Sequence, residues 1–385
     1  TTLDMDAQNA AVAAMQNLPN YYTDSNGLHQ PQGAIVAMNP HNGYIMAMVG
    51  GRGDDAFNRA TQAERQPGSA MKPFVYLAAI QSGKTPGSIV DDSPVTFGSW
   101  SPKNYENDFV GNITYRYALQ HSRNVAAVKI ADEVGMTKVI KLAKEMGIST
   151  LTDQDYNLST ALGGLTHGVT PLEMVQAYGV LANGGIKVQP TAILKIVDRN
   201  GQVVEEHSIQ EKRVVDEKDA AIITNMLESV INGGTGGNAA IGRPAAGKTG
   251  TTDDSKDAWF VGYTPDLVAA VWIGDDYGSE TLRGITGGDT PAIMWGQFMA
   301  NALANTPASD FPVPASAQSA ISEGYVNPAK AQPKKEDKKD EKADKKDDTG
   351  KTTDEKIKSN DKPQKEEVTE QKSNSSKNKK SKKER

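Results

Sequence analysis

The sequence predicts an α+β fold: one sheet assembled from distant segments, with helices packed on it and a helical insertion. Two observations lead there. Short apolar, β-rich runs lie near both ends of the first 305 residues, at 33–38 and 44–49 and again at 258–263 and 267–273. The stretch between them reads as largely helical, punctuated by glycine and proline.

Each element has its own reason. Residues 1–19 read as a helix, because Asp4 or Asp6 can cap it and Ala10, Ala11, Ala13, Ala14 and Met15 give it an apolar side. Residues 21–32 are polar and loop-like. The runs 33–38 and 44–49 are joined by Asn39-Pro40-His41-Asn42-Gly43, a hairpin signal. Both runs are almost wholly apolar, so the sheet is expected to be buried on both faces. Pro67-Gly68 breaks the chain before an apolar run of Phe74, Val75, Leu77, Ala78, Ala79 and Ile80. Residues 86–111 are rich in turn formers, and 113–148 read as helices. Thr170-Pro171 opens another helix, with Glu173 in its first turn, that ends at Asn183-Gly184-Gly185. Residues 187–204 alternate like strands around Asn200-Gly201, and 216–231 form a helix stopped by Gly233-Gly234. The runs 258–263 and 267–273 are strands joined at Thr264-Pro265-Asp266, and a last helix covers about 291–304.

Composition divides the chain into a folded body over residues 1–305, a Pro/Ala/Ser linker over 306–329 and a disordered charged tail over 330–385. The tail from 331 onward holds 19 of the 42 Lys and Arg and 14 of the 48 Asp and Glu, which leaves the first 330 residues 23 basic and 34 acidic side chains. An acidic body argues against nucleic acid as the partner. The absence of cysteine excludes disulfides, zinc–thiolate sites and a cysteine nucleophile. Apolar stretches such as 267–273 are far too short to span a bilayer. The chain starts with Thr-Thr-Leu-Asp, lacking an initiator Met or a signal peptide, and reads as a piece of a longer protein.

Three short motifs carry chemistry. Ser69 and Lys72 stand three residues apart at the head of a predicted helix, where positions i and i+3 share a face. A serine needs a neighbouring base to become a nucleophile, and a desolvated lysine can be that base. The helix N-terminus adds unpaired N–H groups where negative charge develops. Alone, the pair is a weak signal, and an N-cap serine followed by a solvated lysine is the favoured reading of it. Ser122-Arg123-Asn124 adds a hydroxyl that can shuttle a proton and an amide that can bind a carbonyl. Lys248-Thr249-Gly250 adds a cation, a hydroxyl and a glycine that lets a ligand lie close against a strand. The order of the three, with 53 and 126 residues between their first members, is the specific signal.

With these motifs the chain resembles the transpeptidase domain of bifunctional, class A penicillin-binding proteins. Further stretches carry the resemblance: Asn39-Pro40 with Gly43, Asn58-Arg59-Ala60, Gln66-Pro67-Gly68-Ser69, Ala161-Leu162-Gly163-Gly164, Gly168-Val169-Thr170-Pro171-Leu172-Glu173-Met174 and Asp257-Ala258-Trp259-Phe260-Val261-Gly262-Tyr263. It covers roughly residues 1–305. Arg123 stands where the handed-down motif has Asp. The resemblance implies a three-layer α/β/α sandwich of the serine β-lactamase and DD-transpeptidase type, with a mainly antiparallel sheet, helices on both faces and a helical subdomain. No glycan-polymerising domain is recognisable in this chain.

The resemblance also implies roles. Ser69 would attack the bond between the terminal D-alanines of a peptidoglycan stem peptide, and Lys72, depressed by burial and by Lys248, would take its proton. Backbone N–H groups of Ser69 and Thr251 would form the oxyanion hole. Ser122 would relay a proton to the leaving amine, and Asn124 would hold the stem's backbone. Lys248, Thr249, Gly250 and Thr251 would bind the terminal carboxylate. The acyl group would pass to an amine of a neighbouring stem, with no cofactor and no metal. β-Lactam antibiotics would acylate Ser69 and deacylate slowly, since Glu173 reads as a first-turn helix residue rather than a second base. DD-carboxypeptidase, with water as acceptor, and a penicillin-recognising sensor that acylates once are the alternatives. The expected place is the extracytoplasmic face of the bacterial membrane, anchored by an upstream segment and alongside partner proteins of cell-wall synthesis.

One decoy is set aside. Residues 242–249 match the phosphate-loop pattern G-x-x-x-x-G-K-[ST], and Asp275-Asp276 follow an apolar strand. A phosphate loop must open a helix, whereas a strand is predicted after Lys248. The five histidines show no metal spacing; His121 borders the second motif. Trp100 fits either a cleft wall or packing, and Asp257 and Trp259 fit bracing of the strand.

Overall fold

The computed structural model describes residues 1–53, 55–278 and 280–326. Asp4 caps α1 (Met5–Met15) by accepting the backbone N–H groups of Asp6 and Ala7. The predicted hairpin forms: β1 (Gln32–Met38) pairs antiparallel with β2 (Ile45–Val49). The other strands come from the far end of the body, as β3 (Ala246–Thr251), β4 (Asp257–Tyr263) and β5 (Val268–Gly274). Together they make one antiparallel sheet in the order β3-β4-β5-β1-β2. Val36 of β1 stands opposite Ala270 of β5, so the two ends of the body are joined at the centre of the sheet.

The helical middle supplies α2 (Lys72–Gln81), α3 (Tyr115–Gln120), α4 (Asn124–Val134), α5 (Met136–Met146), α6 (Pro171–Ala182) and α7 (Glu217–Ile231). After the sheet comes α8 (Thr290–Ala302). Successive strand residues point to opposite faces, and this alternation builds two cores. Ala34, Val36, Met38, Trp259, Val261, Tyr263, Val268, Ala270 and Trp272 lie on the face covered by α6 and α7. Ile35, Ala37, Ala258, Phe260, Ala269, Val271 and Ile273 face α1 and α8. The result is the expected three-layer α/β/α sandwich, with α2, α4 and α5 packed on one another beside it.

Burial on both faces holds for β1, β4 and β5 but not for β2, where only Ala47 is buried. As an edge strand, β2 has a neighbour on one side only. Within 113–148, read as helices, residues Asn112–Thr114 form a short strand against Ile89–Asp91. Part of the stretch read as a linker is packed against the body as far as Tyr325. Ala317 and Ala320, on the turn and helix that end at Ile321, are buried against α7. Arg116 of α3 donates to the carbonyls of Ile321 (2.7 Å) and Glu323 (2.8 Å), and Tyr325 stacks on its guanidinium at 4.0 Å. Small side chains and free carbonyls, which composition reads as linker, here fit against a helix and an arginine. The tail expected over 330–385 lies outside the described residues. Among the described residues no helix is long and apolar enough to cross a membrane, and no group of His, Cys, Asp and Glu could hold a metal ion.

Candidate active site

Ser69 lies on a 3₁₀ turn, Gly68–Met71, that runs directly into α2, so Lys72 is the first residue of that helix. The serine thus precedes the α-helix rather than sitting in its first turn. The turn is clamped from several sides. The side-chain amide of Gln66 accepts the N–H of Leu165 (2.7 Å) and donates to its carbonyl (2.8 Å). Trp259 Nε1 donates to the carbonyl of Gln66 (2.9 Å), and the Tyr178 hydroxyl donates to that of Ala70 (2.7 Å). Each such bond contributes about 1 kcal/mol, and their directions fix the turn in space.

The edge of β3 that faces away from β4 lies against this turn. Contact is so close that only glycine fits on both sides. A Cβ on Gly250 would fall 2.3 Å from the carbonyl oxygen of Pro67, and one on Gly68, whose φ is +54°, would fall 2.5 Å from that of Thr251. The Thr251 amide nitrogen is 3.0 Å from the same Gly68 position. The backbones of the two expected oxyanion-hole residues, Ser69 and Thr251, are therefore brought side by side.

The second motif occupies the break between α3 and α4. Ser122 takes a left-handed conformation, φ +52°, which costs a non-glycine residue about 1–3 kcal/mol. Its side chain meets both lysines. Lys72, 0% exposed, donates from Nζ to the Ser122 carbonyl (2.5 Å), to Ser122 Oγ (3.1 Å) and to Asn124 Oδ1 (2.6 Å). Among the described residues none of its hydrogen bonds goes to Ser69. Lys248, also 0% exposed, donates to Ser122 Oγ (2.9 Å) and to the Thr249 carbonyl (3.0 Å) and hydroxyl (3.2 Å). Burial pushes the Lys72 amine well below the ordinary lysine range, and the charge of Lys248 pushes the same way. Burial alone brings Lys248 down to about 7. The structure thus holds two amines that need not both be charged, one on each side of a single hydroxyl.

A cleft of about 450 Å³ opens above them, lined by Ser69, Ser122, Asn124, Thr249 and Thr251, with Tyr105, Glu106 and His121 among its walls. The amines of Lys72 and Lys248 lie beneath its floor. Thr249 Oγ1 is 2.8 Å from Thr235 Oγ1, and Thr251 Oγ1 accepts the N–H of Gly287 (3.0 Å). Ser69, Ser122, Asn124, Thr249 and Thr251 therefore line this cleft, with buried Lys72 and Lys248 bonded to Ser122 at its floor; Gly250 contributes through its missing side chain, and Arg123 is turned away toward Asp92 and Asp108. Trp100 does not line it, and Tyr105 and Glu106, from the same turn-rich segment, do. His121 packs its ring on Tyr117 at 4.2 Å. Asp257 accepts from Arg65 Nε (2.7 Å) and Trp272 Nε1 (2.9 Å), a bracing role.

Residues 242–249 make no phosphate loop. Lys248 lies inside β3, and the chain turns into β4 without a helix. Asp276, the second of the two acidic residues that follow an apolar strand, forms a two-bond ion pair with buried Arg59. Glu173 completes a capping box with Thr170 and accepts from Ser149 N (2.7 Å) and Thr150 N (3.1 Å); it does not line the cleft. The residues that sequence reading missed hold the second motif from behind: Asp92, Asn104 and Asp108. A basic residue in the middle of that motif, following a segment rich in Asp and Asn, was the available signal.

Residues 33–281 match the family described as penicillin binding protein transpeptidase domain. Penicillin-binding protein 1A of Aquifex aeolicus is 40% identical over 292 residues, which cover 74% of this chain and 40% of that protein. The protein of the same name from Neisseria gonorrhoeae is 38% identical over 311 residues, 77% of this chain and 39% of that one. The chain thus spans about two fifths of the length of these relatives. The solved PonA1 protein of Mycobacterium tuberculosis in complex with penicillin V is 32% identical with a TM-score of 0.73, covering 81% of this chain and 87% of that one.

Proposed function

Because the chain belongs to the penicillin-binding protein transpeptidase family, we propose that its cleft is the acylation centre of a serine DD-transpeptidase that cross-links peptidoglycan stem peptides. The observation that carries this reading is the position of Ser122 Oγ, 3.1 Å from Lys72 Nζ and 2.9 Å from Lys248 Nζ, in a cleft that Ser69 also lines.

Ser69 Oγ bonds to the carbonyl carbon between the two terminal D-alanines, and neutral Lys72 takes its proton. The Ser122 carbonyl and Asn124 Oδ1 can only accept hydrogen bonds, so they occupy two N–H bonds of Lys72 and leave its third position for proton exchange. The oxyanion is held by the N–H groups of Ser69 and Thr251; one such donor is worth about 2.7–4 kcal/mol. The Ser122 hydroxyl passes a proton from Lys72 to the departing amine, the C–N bond breaks, and D-alanine leaves. Asn124 Nδ2 spends one N–H on the Lys103 carbonyl (2.9 Å) and keeps the other for the stem's backbone. Lys248, Thr249 and Thr251 receive the terminal carboxylate along the edge of β3, to which Gly250 admits it. An amine of a neighbouring stem then attacks the acyl-enzyme and restores Ser69. The reaction belongs outside the cytoplasmic membrane, where the stems are, with membrane attachment through a segment outside this chain.

A β-lactam, which resembles the D-Ala-D-Ala end, acylates the same serine; the similar PonA1 protein was solved in complex with penicillin V. Glu173 is committed to its helix cap, so the adduct is long-lived. Intact-protein mass spectrometry after penicillin should show one adduct per chain, lost in Ser69→Ala. Rapid turnover of many equivalents, or labelling that survives the substitution, contradicts the reading. Incubation with a D-Ala-D-Ala peptide and an amine acceptor should give the transfer product; D-alanine release with hydrolysis alone would make the domain a carboxypeptidase.

A further inference from the structure

The second motif supplies no side-chain cap to the helix that follows it. Arg123 occupies the N-cap position of α4 but makes no side-chain cap bond, and Ser122 before it is in the left-handed region. The missing cap comes from 20 residues upstream. Asn104, buried, accepts the backbone N–H groups of Asn124 (2.8 Å) and Val125 (3.1 Å) on its Oδ1. Its Nδ2 donates to both oxygens of Asp92 (3.1 Å each) and to the Asp108 carbonyl (2.9 Å). Arg123, 5% exposed, fills the same knot. Nε and Nη2 both donate to Asp92 Oδ2 (2.9 and 2.7 Å), Nη1 to Asp108 Oδ1 (2.7 Å), and Nη2 also to the Asp108 carbonyl (2.7 Å). Asp92 is 0% exposed. The neighbouring Lys103 carbonyl orients the Asn124 amide.

We propose that Arg123, gripped by Asp92 and Asp108, and Asn104, which caps α4, are positioning residues that set where Ser122 Oγ and Asn124 Oδ1 stand against Lys72. The arginine in the motif is thus a working part. Its fork reaches two carboxylates on one segment, which a lysine's single ammonium cannot do. Because Asn124 Oδ1 and both oxygens of Ser122 are the acceptors of Lys72, a small shift of this knot displaces the base and the relay together. The same segment carries Tyr105 and Glu106 into the cleft wall, so the knot also joins that wall to the relay.

The inference rests on the reading of Ser122 and Asn124 as working groups, and wild-type acylation at Ser69 tests that reading first. Arg123→Met alone leaves the Asp92 carboxylate buried without a partner and is expected to fold poorly. The informative variant is Arg123→Met with Asp92→Asn, which removes both buried charges and leaves only half-exposed Asp108 and Glu106 without the arginine. It should label to one penicillin per chain, with unchanged reversible binding and an acylation rate constant lower by about 10- to 100-fold, the scale of an ångström-sized misplacement. Asn104→Ala should behave alike, and Arg123→Lys, which keeps one ion pair, should recover part of the rate. A purely structural role lowers the labelled fraction and leaves the rate constant of the folded molecules intact. Wild-type rate constants at full stoichiometry in the double variant and in Asn104→Ala would overturn the proposal.

Discussion

Replacing Lys248 by methionine separates the cost of the site from its use. The two side chains are similar in length, and the position is fully buried. In the fold the amine titrates at about 7, against 10.5 ordinarily, because burial penalises its charged form. Each unit of that depression is worth about 1.4 kcal/mol, so folding with the charged amine costs about 5 kcal/mol. Below pH 7 both the folded and the unfolded chain hold the proton, and the whole cost is present. Between pH 7 and 10.5 the unfolded chain holds a proton that the fold has released, so stability rises with pH. Integrated from pH 7 to pH 9, this group adds about 2 kcal/mol to the wild type and nothing to the methionine variant. The variant also loses three hydrogen bonds from Nζ, at about 1 kcal/mol each and independently of pH. The assay is urea unfolding of both proteins at pH 7 and pH 9. The wild type should gain about 2 kcal/mol on the variant between the two, while penicillin acylation by the variant falls at least about 100-fold. A difference that stays constant across that interval would mean that Lys248 keeps its proton in the fold, and the charge argument for the site would fail.

Three further outcomes follow from particular contacts. Gly250→Ala drives a Cβ to 2.3 Å from the Pro67 carbonyl; the strand must withdraw from the nucleophile turn, and acylation should fall about 100-fold, read by the rate of penicillin labelling. Tyr178→Phe removes one donor from the Ala70 carbonyl and should cost about 1–2 kcal/mol in chemical unfolding, with a few-fold slower acylation. Glu173→Ala should cost about 1–2 kcal/mol through the lost cap and leave the lifetime of the penicilloyl adduct unchanged; a longer lifetime would make Glu173 the deacylating base.

Much of the frame was legible because it depends on local pattern. The hairpin at Asn39–Gly43, the Thr170-Pro171 helix start and the strand pair at 258–273 each announce themselves through turn formers, caps and apolar runs. The packed stretch up to Tyr325 was not legible, since nothing in Pro, Ala and Ser composition says that Arg116 waits for the carbonyls of Ile321 and Glu323. The half-exposed β2 was missed for a similar reason: an apolar run does not say whether it lies at the centre or the edge of a sheet.

The amino-acid sequence by itself determined which groups are present for chemistry. It places a serine near a lysine at the start of a helix, a serine and an asparagine beside an apolar helical run, and a Lys-Thr-Gly run at the head of a strand, because residue type and short-range spacing are written directly in it. Only the tertiary structure decided what these groups do to one another. Lys72 and Lys248 are 176 residues apart in the chain, and the depression of both amines follows from burial that exists only once β3 closes against the nucleophile turn. The same holds for the support of Ser122: its partners Asp92, Asn104 and Asp108 reach it through folding of a turn-rich segment whose sequence has no periodicity to read. Hydroxyls and amines acquire their reactivity from desolvation and from distances of about 3 Å, and both are properties of the packed chain.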